Sequence, residues 1–271
     1  MFGAILGDII GSPYEFNRGK KTKDFRLFSL RSHYTDDSVT TIAVAKAFMD
    51  AQPGESDSEI LARLAENLQK ICRRYPLAGY GSRFTGWLMK PDPKPYNSLG
   101  NGSAMRVSSV AWLYNDMRSV RRAARLSAEV THNHPEGIKG AESVASVIFM
   151  ARTGSTKAEI KEYIIQEFGY DLSRTCDRIR PGYRHVETCM ETVPEAITAF
   201  LEGEDFEDVI RTAVSLGGDC DTLTAIAGSI AEGFYGVPRN LKEECYSRLP
   251  GFLADILKEY ENTVKQGGKL L

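Results

Sequence analysis

Apolar residues in this chain recur at spacings of three and four and almost nowhere alternate with polar ones. Ile60, Leu64, Leu68 and Ile71 form one such row. That spacing puts all four on one face of a helix, whereas a strand would scatter them over both faces. Ser56-Asp57-Ser58-Glu59 precedes the row with the Ser-to-Glu spacing of a capping box, and Thr156 with Glu159 repeats it. The same periodicity predicts helices over 119–130, 137–151, 156–168, 187–201, 206–215, 222–235 and 252–264. The run 39–49 is apolar on most sides and suits a buried helix. Alternation is confined to 25–30, and one short run cannot make a sheet. Segments 17–24, 90–102 and 170–184 read as loops, and Pro91, Pro93 and Pro95 keep the second from being helical throughout. No stretch reads as an interdomain linker, and no internal repeat is visible. The expectation is an all-α, compact, many-helix bundle forming a single domain over 1–271.

Charge and cysteine content narrow the functional classes. A net charge of -2 argues against a duplex-nucleic-acid binder relying on phosphate attraction, but leaves room for a nucleotide-like ligand held by a few local donors. The five cysteines, Cys72, Cys176, Cys189, Cys220 and Cys245, are widely spaced and form no CxxC pair. They read as free thiols of a reducing compartment. The first residues lack the basic flank of a signal peptide, and Asp8 interrupts their apolar stretch. No segment approaches the roughly 20 apolar residues that span a bilayer. The expected protein is cytoplasmic, without a membrane partner, and a monomer by default.

Two acidic motifs carry the chemistry. Thr35-Asp36-Asp37 stands at the start of a helix, where one Asp or Thr would serve as a cap. Two consecutive carboxylates exceed that need and suit a hard divalent cation, so a cap and a metal site both fit this motif taken alone. The second motif, Gly217-Gly218-Asp219-Cys220-Asp221-Thr222, turns on paired glycines, which adopt backbone shapes closed to other residues, and opens an apolar helix. Asp219 and Asp221 lie two apart and can point to one side of a non-helical segment. If the fold joins the motifs, about six oxygen ligands meet, enough for two magnesium ions. Bound cations would also relieve the repulsion between the carboxylates. The glycine-rich loop Ser98-Leu99-Gly100-Asn101-Gly102-Ser103 is either a tight turn or a set of amides suited to a pyrophosphate at a helix start.

With these motifs assembled, the chain resembles the ADP-ribosylglycohydrolase family, which includes the dinitrogenase reductase-activating glycohydrolases. The resemblance spans nearly the whole chain. It rests on Gly7-Asp8-Ile9-Ile10-Gly11 with Glu15, Thr35-Asp36-Asp37, Gly100-Asn101-Gly102-Ser103-Ala104-Met105-Arg106, Thr131-His132 and residues 217–222. It implies an all-α, roughly orthogonal bundle. It further implies a binuclear Mg2+ centre, with Mn2+ as a substitute, held by Thr35, Asp36, Asp37, Asp219, Asp221 and Thr222. The ions would hold the ribose 2′- and 3′-hydroxyls of an ADP-ribosylated substrate while the bond at the anomeric carbon is hydrolysed and ADP-ribose released. Glu15 matches an acidic residue on a loop over the metal site and is a candidate acid/base or gating group. Asp36 or Asp37 is the candidate that orients water. Ser98, Gly100, Asn101, Gly102, Ser103 and His132 become candidate substrate contacts. Ser98 also stands where arginine-directed bacterial members can carry an acidic residue, so the acceptor is open among arginine, serine, nucleic acid and small molecules.

Other residues have competing assignments. Tyr183 offers a face on which adenine can stack, or is a structural tyrosine. His134 reads as a turn residue before Pro135, because His132-Asn133-His134 lacks further ligands for a metal. Lys20, Lys21 and Lys23 form a basic loop, and Arg121, Arg122 and Arg125 a solvated helix face. Cys220 is flanked by aspartates that raise a thiol's pKa, so packing suits it better than nucleophilic chemistry. Two rival functions are a catalytically inactive ADP-ribose-binding or structural protein on the same scaffold, and a metal-dependent phosphoester hydrolase.

Overall fold

Helix α1 (Phe2–Gly11) has no polar face, and all of its residues are buried, Asp8 included. Gly3, Gly7 and Gly11 recur every fourth position and so line one side of it. That side presses on another helix closely enough to exclude side chains. A Cβ on Gly3 would lie 2.0 Å from Gly228 O, one on Gly7 2.2 Å from Thr224 O, and one on Gly11 2.6 Å from Asp221 Cα. The beginning of the chain is thereby locked along a helix more than 200 residues later.

The computed structural model describes residues 1–16 and 21–268. After α1 and a 3-10 turn (Ser12–Tyr14) come α2 (Asp36–Asp50), α3 (Asp57–Cys72), α4 (Ser82–Leu88), α5 (Gly102–Met105), α6 (Val110–Leu113) and α7 (Met117–Glu129). These are followed by α8 (Pro135–Arg152), α9 (Lys157–Phe168), α10 (Cys176–Ile179), α11 (Cys189–Glu202), α12 (Phe206–Leu216), α13 (Cys220–Tyr235), α14 (Arg239–Arg248) and α15 (Gly251–Lys265). Among the described residues there is no strand, only an isolated bridge between Gly100 and Thr188. α13 is buried over most of its length and packs against α1, α8, α11 and α12. Buried side chains from Met1 to Tyr260 form one continuous core. No helix among the described residues is long and apolar enough to cross a membrane.

The fold is all-α, as the periodicity predicts. Both capping boxes form, at Ser56/Glu59 and Thr156/Glu159. Helix starts are displaced toward their caps. α2 begins at Asp36, with the Thr35 side chain accepting from Asp37 N, and α8 begins at Pro135, with His134 as its N-cap. α13 begins at Cys220, so Asp221 and Thr222 lie in its first turn and only Asp219 precedes it. Helices α1, α4 and α14 lie outside the periodic signal: the first is apolar on every side, α4 has 7 residues, and α14 buries only Leu241 and Cys245.

The 25–30 run is irregular, and Arg211 Nη1 donates to Lys23 O and Phe25 O at 3.0 and 2.7 Å beside it. Lys20 lies outside the described residues. Lys21 and Lys23 are committed: the first donates to Tyr183 O at 2.7 Å and the second pairs with Asp208. Arg122 and Arg125 likewise pair with Asp57, and Arg121 with Glu142 and Glu167, so the α7 face is tied to its neighbours.

The glycine contact sets a mutational contrast. Gly7→Ala drives a methyl into the Thr224 carbonyl and is expected to destabilise by about 1–3 kcal/mol, the range for overpacked cores. Gly86→Ala, in α4 with nothing within 4 Å of the new Cβ, is expected to stabilise by about 0.5–1 kcal/mol. Urea denaturation of both variants measures the difference.

Candidate metal centre and active site

Helices α2 and α13 both begin at one cleft, and each brings its carboxylates in its first turn or at its cap. The positive ends of both macrodipoles therefore point at the acidic groups. Thr222 Oγ1 donates to Asp37 Oδ2 at 3.1 Å, which joins the two motifs directly. One ligand oxygen from each of Asp8, Asp37 and Asp221 lies within 4.8 Å of the others, and Glu15, Asp219 and Asp221 form a second such group. Paired glycines make the α13 approach possible. Gly217 and Gly218 have φ of 72° and 78°, and a Cβ on Gly218 would lie 2.5 Å from the Tyr183 ring.

Asp8 and Asp37 show two different fates for a buried carboxylate. Asp8 Oδ2 accepts from Thr35 N at 2.8 Å, from Ser38 N at 3.0 Å and from Ser38 Oγ, while Oδ1 accepts from Thr35 Oγ1 at 2.7 Å. It is saturated by the N-terminus of α2 and fixes the orientation of Thr35. With its proton given to Asp8, Thr35 Oγ1 keeps a lone pair for other use. Asp37 Oδ1, in contrast, is buried and has no hydrogen-bond partner. Such an orphan acceptor is costly unless something absent from protein chemistry satisfies it.

Electrostatics agree. Burial, then Asp8 and Asp219, pushes the Asp36 carboxyl from 3.8 up to about 8. Burial and Asp221 raise Asp37 well above the ordinary range, burial raises Asp219, and burial and Asp219 raise Asp221. No lysine or arginine among the described residues stands as an ion-pair partner to any of these four. Charge-neutralising divalent cations fit the donor set: carboxylate and hydroxyl oxygens, close together, with one acceptor unfilled.

The cleft has a volume of about 310 Å³, and its wall includes Glu15, Asp36, Asp37, Asp219, Asp221, Thr222, Ser98, Gly100, Asn101, Gly102 and His132. Thr35 stands just behind this wall, on Asp8. Asn101 has a part different from the expected one: its Nδ2 donates to Asp219 Oδ2 at 2.6 Å and to Thr192 Oγ1 at 3.1 Å, so it orients an acidic residue. Two expected substrate contacts are not on the cleft wall. Ser103 is wholly buried and donates to Gly137 O at 2.7 Å, away from the cleft. Tyr183 is buried, packs its ring against Gly218 and donates to Glu191 O at 3.3 Å, which supports the glycine turn. The glycine loop leads into α5, which is a single turn, so a long helix dipole is not available to a pyrophosphate there.

Asp8 acquires a role, orienting Thr35, that its motif alone does not assign. A lone carboxylate inside an apolar helix was the available signal for Asp8. Arg83 and Tyr96 also line the cleft, with the Arg83 guanidinium 4.7 Å over the Tyr96 ring. Cys220 is buried, and burial with Asp221 and Asp219 pushes its thiol up, away from nucleophilic use. All five cysteines are free.

A family model described as ADP-ribosylglycohydrolase matches residues 1–266. The chain belongs to the ADP-ribosylglycohydrolase family. It is an enzyme of the glycohydrolase class by that membership, and its relatives carry hydrolase names. "ADP-ribosylhydrolase ARH3" of Mus musculus is 26% identical, with 90% of this chain and 85% of the relative covered. An "ADP-ribosylarginine hydrolase" of Pseudomonas putida (strain GB-1) is 25% identical, covering 88% of this chain and 70% of the relative. A solved "ADP-ribosylglycohydrolase-related protein complex" superposes with a TM-score of 0.69 at 23% identity, over 99% of this chain and 97% of the other, and shows the shared fold.

For this glycohydrolase, the raised carboxylates make stability depend on pH in a definite direction. A group whose folded pKa lies above its unfolded value stabilises the fold fully below the unfolded pKa and loses that contribution as pH rises through the folded one. For Asp36 the window runs from 3.8 to about 8. The chelator-treated protein is therefore expected to lose thermal stability across that window, and a divalent cation to restore it increasingly toward higher pH. Melting temperatures measured with and without cation across that range check this, and parallel curves would contradict it.

Proposed function

We propose that this chain is a metal-dependent ADP-ribosyl hydrolase, cleaving the glycosidic bond between ADP-ribose and an acceptor to release free ADP-ribose. The observation that carries this is the meeting of the α2 and α13 N-termini, which leaves Asp37 Oδ1 buried without a partner among clustered carboxylates. Thr35, Asp36, Asp37, Asp219, Asp221 and Thr222 would hold two Mg2+ ions, with Mn2+ as a substitute. When bound, such ions supply orientation of a ribose diol and acidification of water.

The protein's own groups do the rest. Asp8 and Asn101 hold Thr35 and Asp219 in place through the hydrogen bonds described above. The carboxylates stabilise positive charge developing at the anomeric carbon as its bond to the leaving group lengthens. Water adds its oxygen to that carbon, and one proton passes to the departing acceptor. Glu15 stands at the cleft within 4.8 Å of the Asp219 and Asp221 oxygens, and serves as the acid/base or gating group. Ser98, Gly100 and Gly102, on the wall beside His132, would face the phosphate end of the substrate, although the Ser98 amide already donates to Thr131 O and the Gly100 amide to Ser98 Oγ. The names of the relatives favour this bond over a phosphoester.

Asp36→Asn and Asp221→Asn are each expected to reduce ADP-ribose release by at least about a hundredfold, the scale on which a lost catalytic carboxylate or ligand acts. Circular dichroism should show both variants folded. A panel of defined ADP-ribosylated substrates, assayed in chelator and with Mg2+ or Mn2+ added back, measures the effect. Undiminished release in chelator would rule out the metal centre, and release of phosphate in place of ADP-ribose would rule out the bond.

A further inference from the structure

His132 closes one wall of the cleft, and its two ring nitrogens have different surroundings. Nδ1 lies 2.7 Å from Thr131 Oγ1. Nε2 lies beneath the 100–102 loop, where a Cβ on Gly102 would be 3.1 Å away and one on Gly100 3.6 Å away. Glycine at both positions keeps that nitrogen uncovered, and it has no hydrogen-bond partner among the described residues. A distance alone does not tell which nitrogen carries the proton.

Thr131 decides the matter. Its hydroxyl accepts from Arg106 Nη2 at 2.8 Å, and the same Nη2 donates to Ser127 O at 2.7 Å. Arg106 can only donate. Thr131 is wholly buried, so its own hydroxyl hydrogen requires an acceptor, and among the described residues His132 Nδ1 is the one in reach. A proton on Nδ1 would aim two donors at the hydroxyl and strand its hydrogen in the interior, an expensive arrangement. The network closes in one sense, from Arg106 through Thr131 to an accepting Nδ1.

We propose that Arg106 and Thr131 are positioning residues that fix His132 as the neutral tautomer with its proton on Nε2, a hydrogen-bond donor presented to the substrate. The ring then neither accepts a proton nor binds a metal through Nε2. Its partner is an oxygen of the bound ligand. Naming that ligand as ADP-ribose, whose phosphates and ribose offer such oxygens, rests on the proposed function. The tautomer does not.

Both charged groups that act on the ring oppose a second proton. They are the guanidiniums of Arg106 and Arg83; the Tyr96 ring, whose centroid is 6.0 Å away, is a neutral neighbour. Burial acts in the same direction, and holds the imidazole well below its ordinary range. Arg106 is itself buried with Nε unpaired, and burial lowers it only to about 10, so it remains a cation at neutral pH. A buried cation without a carboxylate partner is costly. Its use as the fixed donor at the head of this relay gives it a function.

The chain has 4 histidines, which makes the proton visible directly. In 15N-histidine-labelled protein, with His132→Gln assigning the signal, the expected spectrum has a pyrrole-type Nε2 and a pyridine-type Nδ1. It should not change between about pH 6 and about pH 8, where a free imidazole titrates. Thr131→Val should lose that pattern and weaken ADP-ribose binding roughly ten-fold, the effect of a lost hydrogen bond. Thr131→Ser, which keeps the hydroxyl, should restore both. A protonated Nδ1 or a titrating ring in the wild type, or an unchanged tautomer in Thr131→Val, would overturn the relay. Failure of the wild type to bind ADP-ribose while its Nε2 carries the proton would instead overturn the assigned ligand.

Discussion

The contact between α1 and α13 sets the position of everything chemical in this chain. Three glycines spaced by four leave no side chains between the helices, so the backbones approach directly. Asp221 begins where Gly11 ends, and Asp8 is carried one turn back along the same face of the core. From there Asp8 accepts the free amides of Thr35 and Ser38 and draws the N-terminus of α2 to the N-terminus of α13. A close helix pair thereby becomes a close pair of acidic motifs that lie far apart in the sequence.

Such a meeting is electrostatically unfavourable until something neutralises it. Helix dipoles and hydrogen bonds satisfy part of the negative charge, and at Asp8 they engage both carboxylate oxygens, yet burial still raises its carboxyl above the ordinary range. They do not reach Asp37 Oδ1. Carboxyls with raised pKa values in a cleft mark a functional site when a specific set of neighbours causes the shift. Here the neighbours are other carboxylates, and hard cations are partners that would resolve their repulsion.

Much of this was legible in the sequence, and what was not has physical causes. The capping boxes of Ser56 and Thr156 and the amphipathic rows of α3 and α12 are local signals, and the structure places helices there. The acidic motifs and the paired glycines of 217–218 were visible as chemistry. α1 was not visible as a helix, because a segment buried on every side has no period to detect. Asn101, Ser103 and Tyr183 show the other limit. A motif says that a residue matters but not which way its side chain turns, and here one orients Asp219, one bonds Gly137 and one supports Gly218. The direction of the proton between Thr131 and His132 follows only once Arg106 is known to lie behind them.

Whether joining these two helix starts creates a site for divalent cations is tested most directly by anomalous diffraction from crystals grown with Mn2+. Two anomalous peaks are expected in the cleft, one beside Asp37 and Asp221 and one beside Asp219 and Asp221. Crystals with these side chains well ordered and no manganese between them would contradict that expectation.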